Sequence, residues 1–309
     1  MSSRSHRLLP YAAVAFASCL WGSWGLIVRK TEALGAMPTA LESTIVMAVI
    51  TAVTGVAALR DRIARPAPWR ARAWVGWLGI GDAMNVLLFF AAYKLTIAVS
   101  VLTHYLTPIF VAIAAPLVLR ERMTARSATA IGISSVGLAT MLVPTGGGST
   151  STVWTSALLG AGSAVFYASN VIVNKFVAES FSTSETMFWH GVVATPLLAA
   201  FVPPSAWGAL DLRAAGFLAV ASIGPGALAG LAFVWGLRRM PAAHASTLTL
   251  LEPLVSIAVG AAVLGEPISG RSGLGGALIL AGSVVVMTAP VRDVSTSSTT
   301  GRDTSPRPP

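Results

Sequence analysis

Apolar residues in this chain come in runs of about twenty positions, broken by short polar connectors, rather than in the alternation of strands or the single stripe of a soluble helix. Ten such runs fall at roughly 10–29, 39–59, 72–93, 97–119, 125–143, 153–175, 184–202, 213–236, 242–264 and 271–290. A bilayer's hydrocarbon core needs about 20 residues of helix, so the pattern predicts an all-α integral membrane protein with ten transmembrane helices. The link 144–152, PTGGGSTST, is uncharged and flexible, and the Ser/Thr/Pro-rich tail 291–309 is too poor in apolar residues to fold. Residues 1–9 precede the first run. Arg4, His6 and Arg7 followed by Ala15-Phe16-Ala17 imitate a signal peptide, but the apolar stretch continues to Val28, long enough for a retained helix.

The runs repeat. TLTLLEPLVSIAVGAAVLGEPIS, Thr247 to Ser269, aligns without gaps on LTHYLTPIFVAIAAPLVLRERMT, Leu102 to Thr124, with Pro253 lying 145 residues after Pro108. The same register pairs Leu119 with Leu264, Glu121 with Glu266 and Arg126 with Arg271. Elsewhere it pairs Ile27-Val28 with Ile172-Val173, Lys30 with Lys175, Gly79 and Gly81 with Gly224 and Gly226, and Gly137 with Gly282. One register that works at several separate places marks a duplication. The halves are 10–143 and 153–290, and because each holds five helices, an odd number, the second must be inserted upside down. Inverted repeats of this kind characterise secondary transporters.

Composition agrees with this reading. The 309 residues are 54% hydrophobic and only 11% charged, with mean hydropathy +0.73, against about 25% charged in a soluble domain. A net charge of +9 would suggest nucleic acid, but the basic residues sit in loops. With the N-terminus inside, the cytoplasmic loops and ends carry Arg4, Arg7, Arg60, Arg62, Arg65, Arg70, Arg72, Arg120, Arg122, Arg126, Lys175, Arg238, Arg239, Arg292, Arg302 and Arg307. Arg29, Lys30, Lys94, Arg213 and Arg271 are left outside. Lysine and arginine resist translocation, so both termini are placed in the cytoplasm of a multi-pass plasma-membrane protein, with the lipid bilayer and not nucleic acid as the partner of the charge. The one cysteine, Cys19, excludes an internal disulfide and is expected to pack as a small apolar residue.

Ten helices in two halves, Trp21-Gly22 ending the first helix, and Leu251-Glu252-Pro253 followed by Leu264-Gly265-Glu266 resemble the EamA family of the drug/metabolite transporter superfamily. The resemblance covers about residues 10–290. It implies export of amino acids or other small metabolites through a central cavity lined mainly by helices 1, 3, 4, 6, 8 and 9. The first half departs from the pattern: Thr107 replaces the carboxylate before Pro108, and Arg120 the glycine before Glu121.

Asp82 and Glu252 are carboxylates near the middle of runs 3 and 9. A charge there costs about 2.5–3.5 kcal/mol even on a lenient insertion scale, so both are candidate proton-coupling groups. Pro253 and Pro108 free the carbonyls of Thr249 and His104, placing helix breaks with acceptors for a cation, an amine or water. Gly79-Ile80-Gly81 and Gly224-Pro225-Gly226 are expected to interrupt helices 3 and 8 at equivalent points. Polar or aromatic groups that could orient a substrate are Trp21, Ser23, Asn85, His104, Tyr105, Asn170, Asn174, Thr249 and His190, with Gly81 and Gly226 allowing close approach. Interhelical hydrogen bonding or packing is the plainer role for each. Trp69, Trp74, Trp77 and Trp154 read as an interfacial belt. Lys30 and Lys175 are expected to snorkel to the headgroups, and Glu121 and Glu266 to lock turns through Arg126 and Arg271.

The chain has no G-x-x-x-x-G-K-[ST] loop, and His6, His104, His190 and His244 do not form an H-E-x-x-H motif. The reading is therefore a transporter rather than an enzyme, with no cofactor or metal, moving a small molecule outward and coupled to protons. An uncoupled facilitator or a lipid-carrier flippase is the alternative. Monomer and homodimer are both open.

Overall fold

A computed structural model of the chain describes residues 3–61, 67–142, 149–265 and 268–288. Among the described residues all regular structure is helical. The helices are α1 (Ser3–Trp21), α2 (Trp24–Leu34), α3 (Thr39–Arg60), α4 (Trp69–Leu95), α5 (Ile97–His104), α6 (Thr107–Val118), α7 (Ala125–Leu142) and α8 (Thr150–Phe176). They continue with α9 (Thr183–Ala199), the short α10 (Pro204–Gly208), α11 (Leu212–Ala221), a π-helical turn Ile223–Leu228, α12 (Ala229–Leu237), α13 (Ala242–Leu248), α14 (Leu251–Leu264) and α15 (Gly270–Met287).

Eight helical stretches are long and apolar enough to cross a membrane: Leu8–Leu34, Thr39–Arg60, Trp69–Leu95, Ile97–Val118, Thr150–Phe176, Leu212–Leu237, Ala242–Val263 and Gly270–Met287. The chain is therefore a multi-pass integral membrane protein. The two other predicted runs are helices that fall short of that measure. α9 has only 17 residues and carries Glu185, His190 and Pro196, while α7 carries Arg126 and the hydroxyls of Ser127, Ser134, Ser135 and Thr140.

Four of the spans are broken internally. Leu8–Leu34 breaks at Gly22-Ser23, where Ser23 donates both its N–H and its hydroxyl to the Leu20 carbonyl. Gly22 is required there by close approach, because a Cβ would overlap Val255 and the Glu252 carbonyl. Ile97–Val118 and Ala242–Val263 break just before the first turns that hold Pro108 and Pro253. A proline in a first turn lacks only an N–H that would have had no partner, so each break serves as the start of a new half-helix. The third kind of break is the π turn around Pro225, in which the Ala227 N–H reaches five residues back to the Ser222 carbonyl at 3.2 Å.

The expected interruption at Gly79-Ile80-Gly81 does not occur: α4 is continuous from Trp69 to Leu95. Without a proline no backbone donor is lost. Gly79 instead lets α4 lie against the His190 carbonyl and Val193 of α9, and Gly81 lets it lie against Asn170 of α8.

Helix pairing follows small residues. α7 packs along α15, with Gly137 against Gly275 and Leu278, and Gly282 against Ala130 and Ser134. α4 packs along α8, α1 along α12, and α3 along α9, where Gly191 meets Thr51. The largest buried apolar cluster joins α1, α8 and α12 through Val14, Ala17, Val171, Phe233 and Leu237. Trp69, Trp74, Trp77 and Trp154 are exposed, as an interfacial belt requires. Cys19, expected to pack as a small apolar residue, is exposed too.

Candidate functional site

The two proline breaks meet at the centre of the bundle. Glu252 lies in the first turn of α14, where the helix dipole favours a negative charge. Its side chain is partnered by the hydroxyl of Tyr105, which caps α5 at the other break. Tyr167 of α8 lies within electrostatic reach of both Glu252 and Asp82, so the two carboxylates share one neighbourhood. Among the described residues Glu252 has no cationic partner. Tyr105 is buried at 6% exposure, whereas Glu252, Asp82, His104 and Tyr167 are half-buried.

Asp82 of α4 faces His190 of α9, with Oδ2 and Nε2 3.2 Å apart. The other ring nitrogen, Nδ1, lies 3.0 Å from the Met187 carbonyl. A carbonyl only accepts, so Nδ1 carries a hydrogen. Nε2 then faces the carboxylate, and either His190 as imidazolium or Asp82 as carboxylic acid could carry a proton toward the other. The pair is a place where a proton can be held and released.

A third group is a polar chain. The Ser163 hydroxyl donates to Asn85 Oδ1 at 2.7 Å, which leaves its oxygen to accept from His104 Nδ1 at 2.8 Å. The His104 ring is thereby fixed and stacks on Tyr167 at an interplanar angle of 8° with centroids 5.6 Å apart; Phe89 lies 4.6 Å away on a tilted plane. The carbonyls freed by the prolines each receive one hydrogen bond. The Thr107 hydroxyl caps His104 O at 2.8 Å, and the Glu252 N–H reaches Thr249 O at 3.0 Å.

The remaining candidates are placed otherwise. Trp21 packs on Phe233, 5.1 Å between centroids, near the Gly22 contact with α14. The hydroxyls of Ser23 and Thr249 are held by carbonyls of their own helices, those of Leu20 and Ser246. Gly226 and Pro225 are buried in the π turn, Gly226 against Ile50 of α3. Asn170 donates to Leu78 O at 3.4 Å and Asn174 to Asn170 O at 2.9 Å, while the amide oxygens of both are buried without a partner.

Sequence reasoning missed Tyr167, Ser163 and Phe89. A signal existed for Tyr167, which the 145-residue register places on Gly22, beside Trp21.

The turn locks are wired differently from expectation. Glu121 pairs not with Arg126 but with Lys175 Nζ, which also donates to Met240 O at 2.6 Å. The second Glu121 oxygen accepts from the Ala242 N–H at 2.7 Å. Arg120 explains the change: it adopts a left-handed φ of 58°, reversing the chain so that Glu121 turns back to the bundle. Arg126 donates to Thr288 Oγ1 at 2.6 Å instead, and Lys175 is tied down rather than snorkelling. Glu266, expected to pair with Arg271, lies outside the described residues. At the same end of the bundle Arg238 donates to Phe181 O and Thr186 Oγ1, and burial, followed by Arg239, pushes its guanidinium down to about 10. Ser184 donates to Asp61 at 2.8 Å, and His244 bridges Tyr11 and Ser127 at 2.8 Å each.

The family model of EamA-like transporters matches residues 8–143 and, a second time, residues 154–288. The chain belongs to the EamA-like transporter family. This family lies within the drug/metabolite transporter superfamily, so the bundle is that of a membrane transporter. An uncharacterized transporter of Archaeoglobus fulgidus is 26% identical over 212 residues, spanning 67% of this chain and 74% of its own. A solved crystal structure superposes with TM-score 0.72 over 92% of this chain and 96% of that one. At 22% identity the latter speaks for the fold alone.

Proposed function

We propose that this EamA-like transporter is a proton-coupled secondary transporter that exports a small organic metabolite or amino acid across the plasma membrane. The observation that carries the proposal is Glu252: a mid-bundle carboxylate, partnered by Tyr105 and without a cation among the described residues. A proton is the simplest counter-ion for such a group, and the Asp82–His190 pair offers a second proton-holding position nearby.

In this reading the chain has ten spans in two inverted halves, 10–143 and 153–290, joined by 144–152, with both termini cytoplasmic. Several structural relations support it. The break before Pro108 recurs at Pro253 in the 145-residue register. Partners also exchange when the halves are exchanged: Gly137 faces 275 while its counterpart Gly282 faces 130, and α4 against α8 is answered by α12 against α1. Such reciprocity is what a pseudo-two-fold axis produces. The contacts of Lys175, Glu121, Arg238, Ser184 and His244 then lie at the cytoplasmic end and close it. Transport requires those contacts to break while the opposite end closes.

The test is solute flux in liposomes under an imposed pH gradient, comparing the native protein with Glu252→Gln. Gradient-driven accumulation that the variant loses supports the proposal. Flux indifferent to the gradient in the native protein refutes proton coupling and favours an uncoupled facilitator or lipid-carrier flippase. For the latter, the apolar groove between α14 and α15, lined by Leu254, Ile257, Ile268 and Gly276, offers a seat for an acyl chain.

A further inference from the structure

Glu42 is a buried carboxylate outside the site described around Glu252. It lies in the first turn of α3, within the span Thr39–Arg60, at 9% exposure, and its Oε1 is buried with no hydrogen-bond partner. At 1.5 Å per residue it stands about 28 Å along α3 from Asp61. Asp61 accepts from Ser184 at the end of the bundle that carries the Lys175–Glu121 pair. Glu42 therefore belongs to the opposite end.

Two charged groups lie within electrostatic reach of it: Glu32 of α2, a like charge, and Lys94 in the last turn of α4, an opposite one. Both are exposed, and among the described residues Glu42 and Lys94 make no ion pair. The other elements packed on α3 bring no charge to Glu42. α9 carries only Glu185 and His190, in the half nearer Asp61, and the π turn carries none. Asp211 and Arg213 at the start of α11 are exposed, as are Arg29 and Lys30 of α2 and Tyr93 beside Lys94. An ionised Glu42 would leave a charged oxygen buried without a donor. A protonated one carries its hydrogen on Oε2 and buries only a neutral carbonyl oxygen. A proton needs no cavity. The charged form becomes tolerable when a cation reaches the group, and Lys94, on a flexible four-carbon stem from a different helix, is placed to do so.

We infer that Glu42 is a proton-dependent latch at the end of the bundle opposite to Lys175 and Glu121. Protonated, it leaves α3 and α4 unjoined at this end, as in the structure; deprotonated, it pairs with Lys94 and draws the two helix ends together. Glu32 adds a like charge that the same lysine offsets. The latch works whether or not Glu252 couples transport to protons, because it acts on the position of helix ends and not on a solute.

The test uses the full chain in nanodiscs, in a background without Cys19, with spin labels on cysteines at Ala36 and Ile97, exposed positions beside the start of α3 and the end of α4. Label-to-label distances are measured by pulsed electron paramagnetic resonance at pH 5 and pH 9. The native protein is expected to shift to shorter distances at pH 9. Glu42→Gln and Lys94→Met, each checked for a monodisperse, cooperatively melting fold, are expected to keep the longer pH 5 distribution at both values, and Lys94→Arg to restore the shift. Infrared difference spectra between the two pH values read the proton itself. The carbonyl band of protonated carboxylic acid at pH 5 is expected to be weaker in Glu42→Gln than in the native protein, and in Lys94→Met part of it is expected to persist at pH 9. A native distance distribution indifferent to pH, a shift that survives in Glu42→Gln or Lys94→Met, or an infrared band unchanged by Glu42→Gln overturns the inference.

Discussion

Lys175 and Glu121 meet across the end of the bundle, and the same two side chains hold the loop before α13 through the Met240 carbonyl and the Ala242 N–H. One ion pair ties three segments, and in the proposed transport cycle these must separate for that end to open. Glu121→Gln and Lys175→Met each remove charge-assisted bonds from a pair only about a fifth exposed, which costs about 2 kcal/mol. The expected outcome is a lower melting temperature and faster labelling of a cysteine placed at Ser246 by a thiol reagent, in a background without Cys19. The exchanged pair, Lys175→Glu with Glu121→Lys, restores part of both. Unchanged labelling in the single variants would show that the pair does not hold this end shut.

Arg120 offers a test by gain of stability. It holds a left-handed φ of 58°, and its counterpart in the register, Gly265, has φ 70°. The turn has a left-handed residue in both copies, although the first carries arginine where the second has the glycine suited to it. Arg120→Gly relieves about 1 kcal/mol of left-handed strain and is expected to raise the melting temperature slightly. A fall would mean that the Arg120 side chain makes a compensating interaction.

The all-helical membrane character of the chain was legible in the sequence because span length is written in residue type. Pro108 and Pro253 marked their own breaks, since a missing N–H acts locally. The Gly79-Ile80-Gly81 break was misread because glycine permits a bend without requiring one, and α9 and Asn170 fill the space it leaves. The partner of Glu121 was misread because sequence spacing favoured Arg126, five residues on, while the left-handed Arg120 turns the chain to a lysine 54 residues away. The site was half legible. Asp82 and Glu252 stand out as mid-span carboxylates, but that Tyr105 and Tyr167 gather around Glu252 depends on packing between helices that no local pattern encodes.

Thr107 stands where Glu252 stands in the other half, and its hydroxyl caps the His104 carbonyl freed by Pro108. Thr107→Val keeps the shape but leaves that carbonyl short of a bond, for a loss of about 1–2 kcal/mol; Thr107→Ser restores it. Thermal melts of both variants check the cap. Full stability in Thr107→Val would mean that another donor replaces it.

Asp82 and His190 face each other at 3.2 Å, and in the proton-coupling proposal the two partners contribute differently. Asp82→Asn removes the carboxylate and is expected to flatten the pH dependence of transport, while His190→Gln keeps it and is expected to change the profile less. Profiles of initial rate between pH 5 and 9 distinguish them. Identical profiles in the native protein and both variants would remove the pair from proton handling.

Glu252 remains the centre of the proton-coupling proposal. The most direct measurement is made on liposomes loaded with the solute that most raises the native protein's melting temperature, following uptake under a pH gradient and, separately, exchange between equal pools without one. Glu252→Gln is expected to abolish the gradient-driven accumulation while retaining exchange, because the amide still accepts from Tyr105 but cannot give up a proton. Gradient-driven accumulation that survives intact in Glu252→Gln contradicts coupling through this carboxylate.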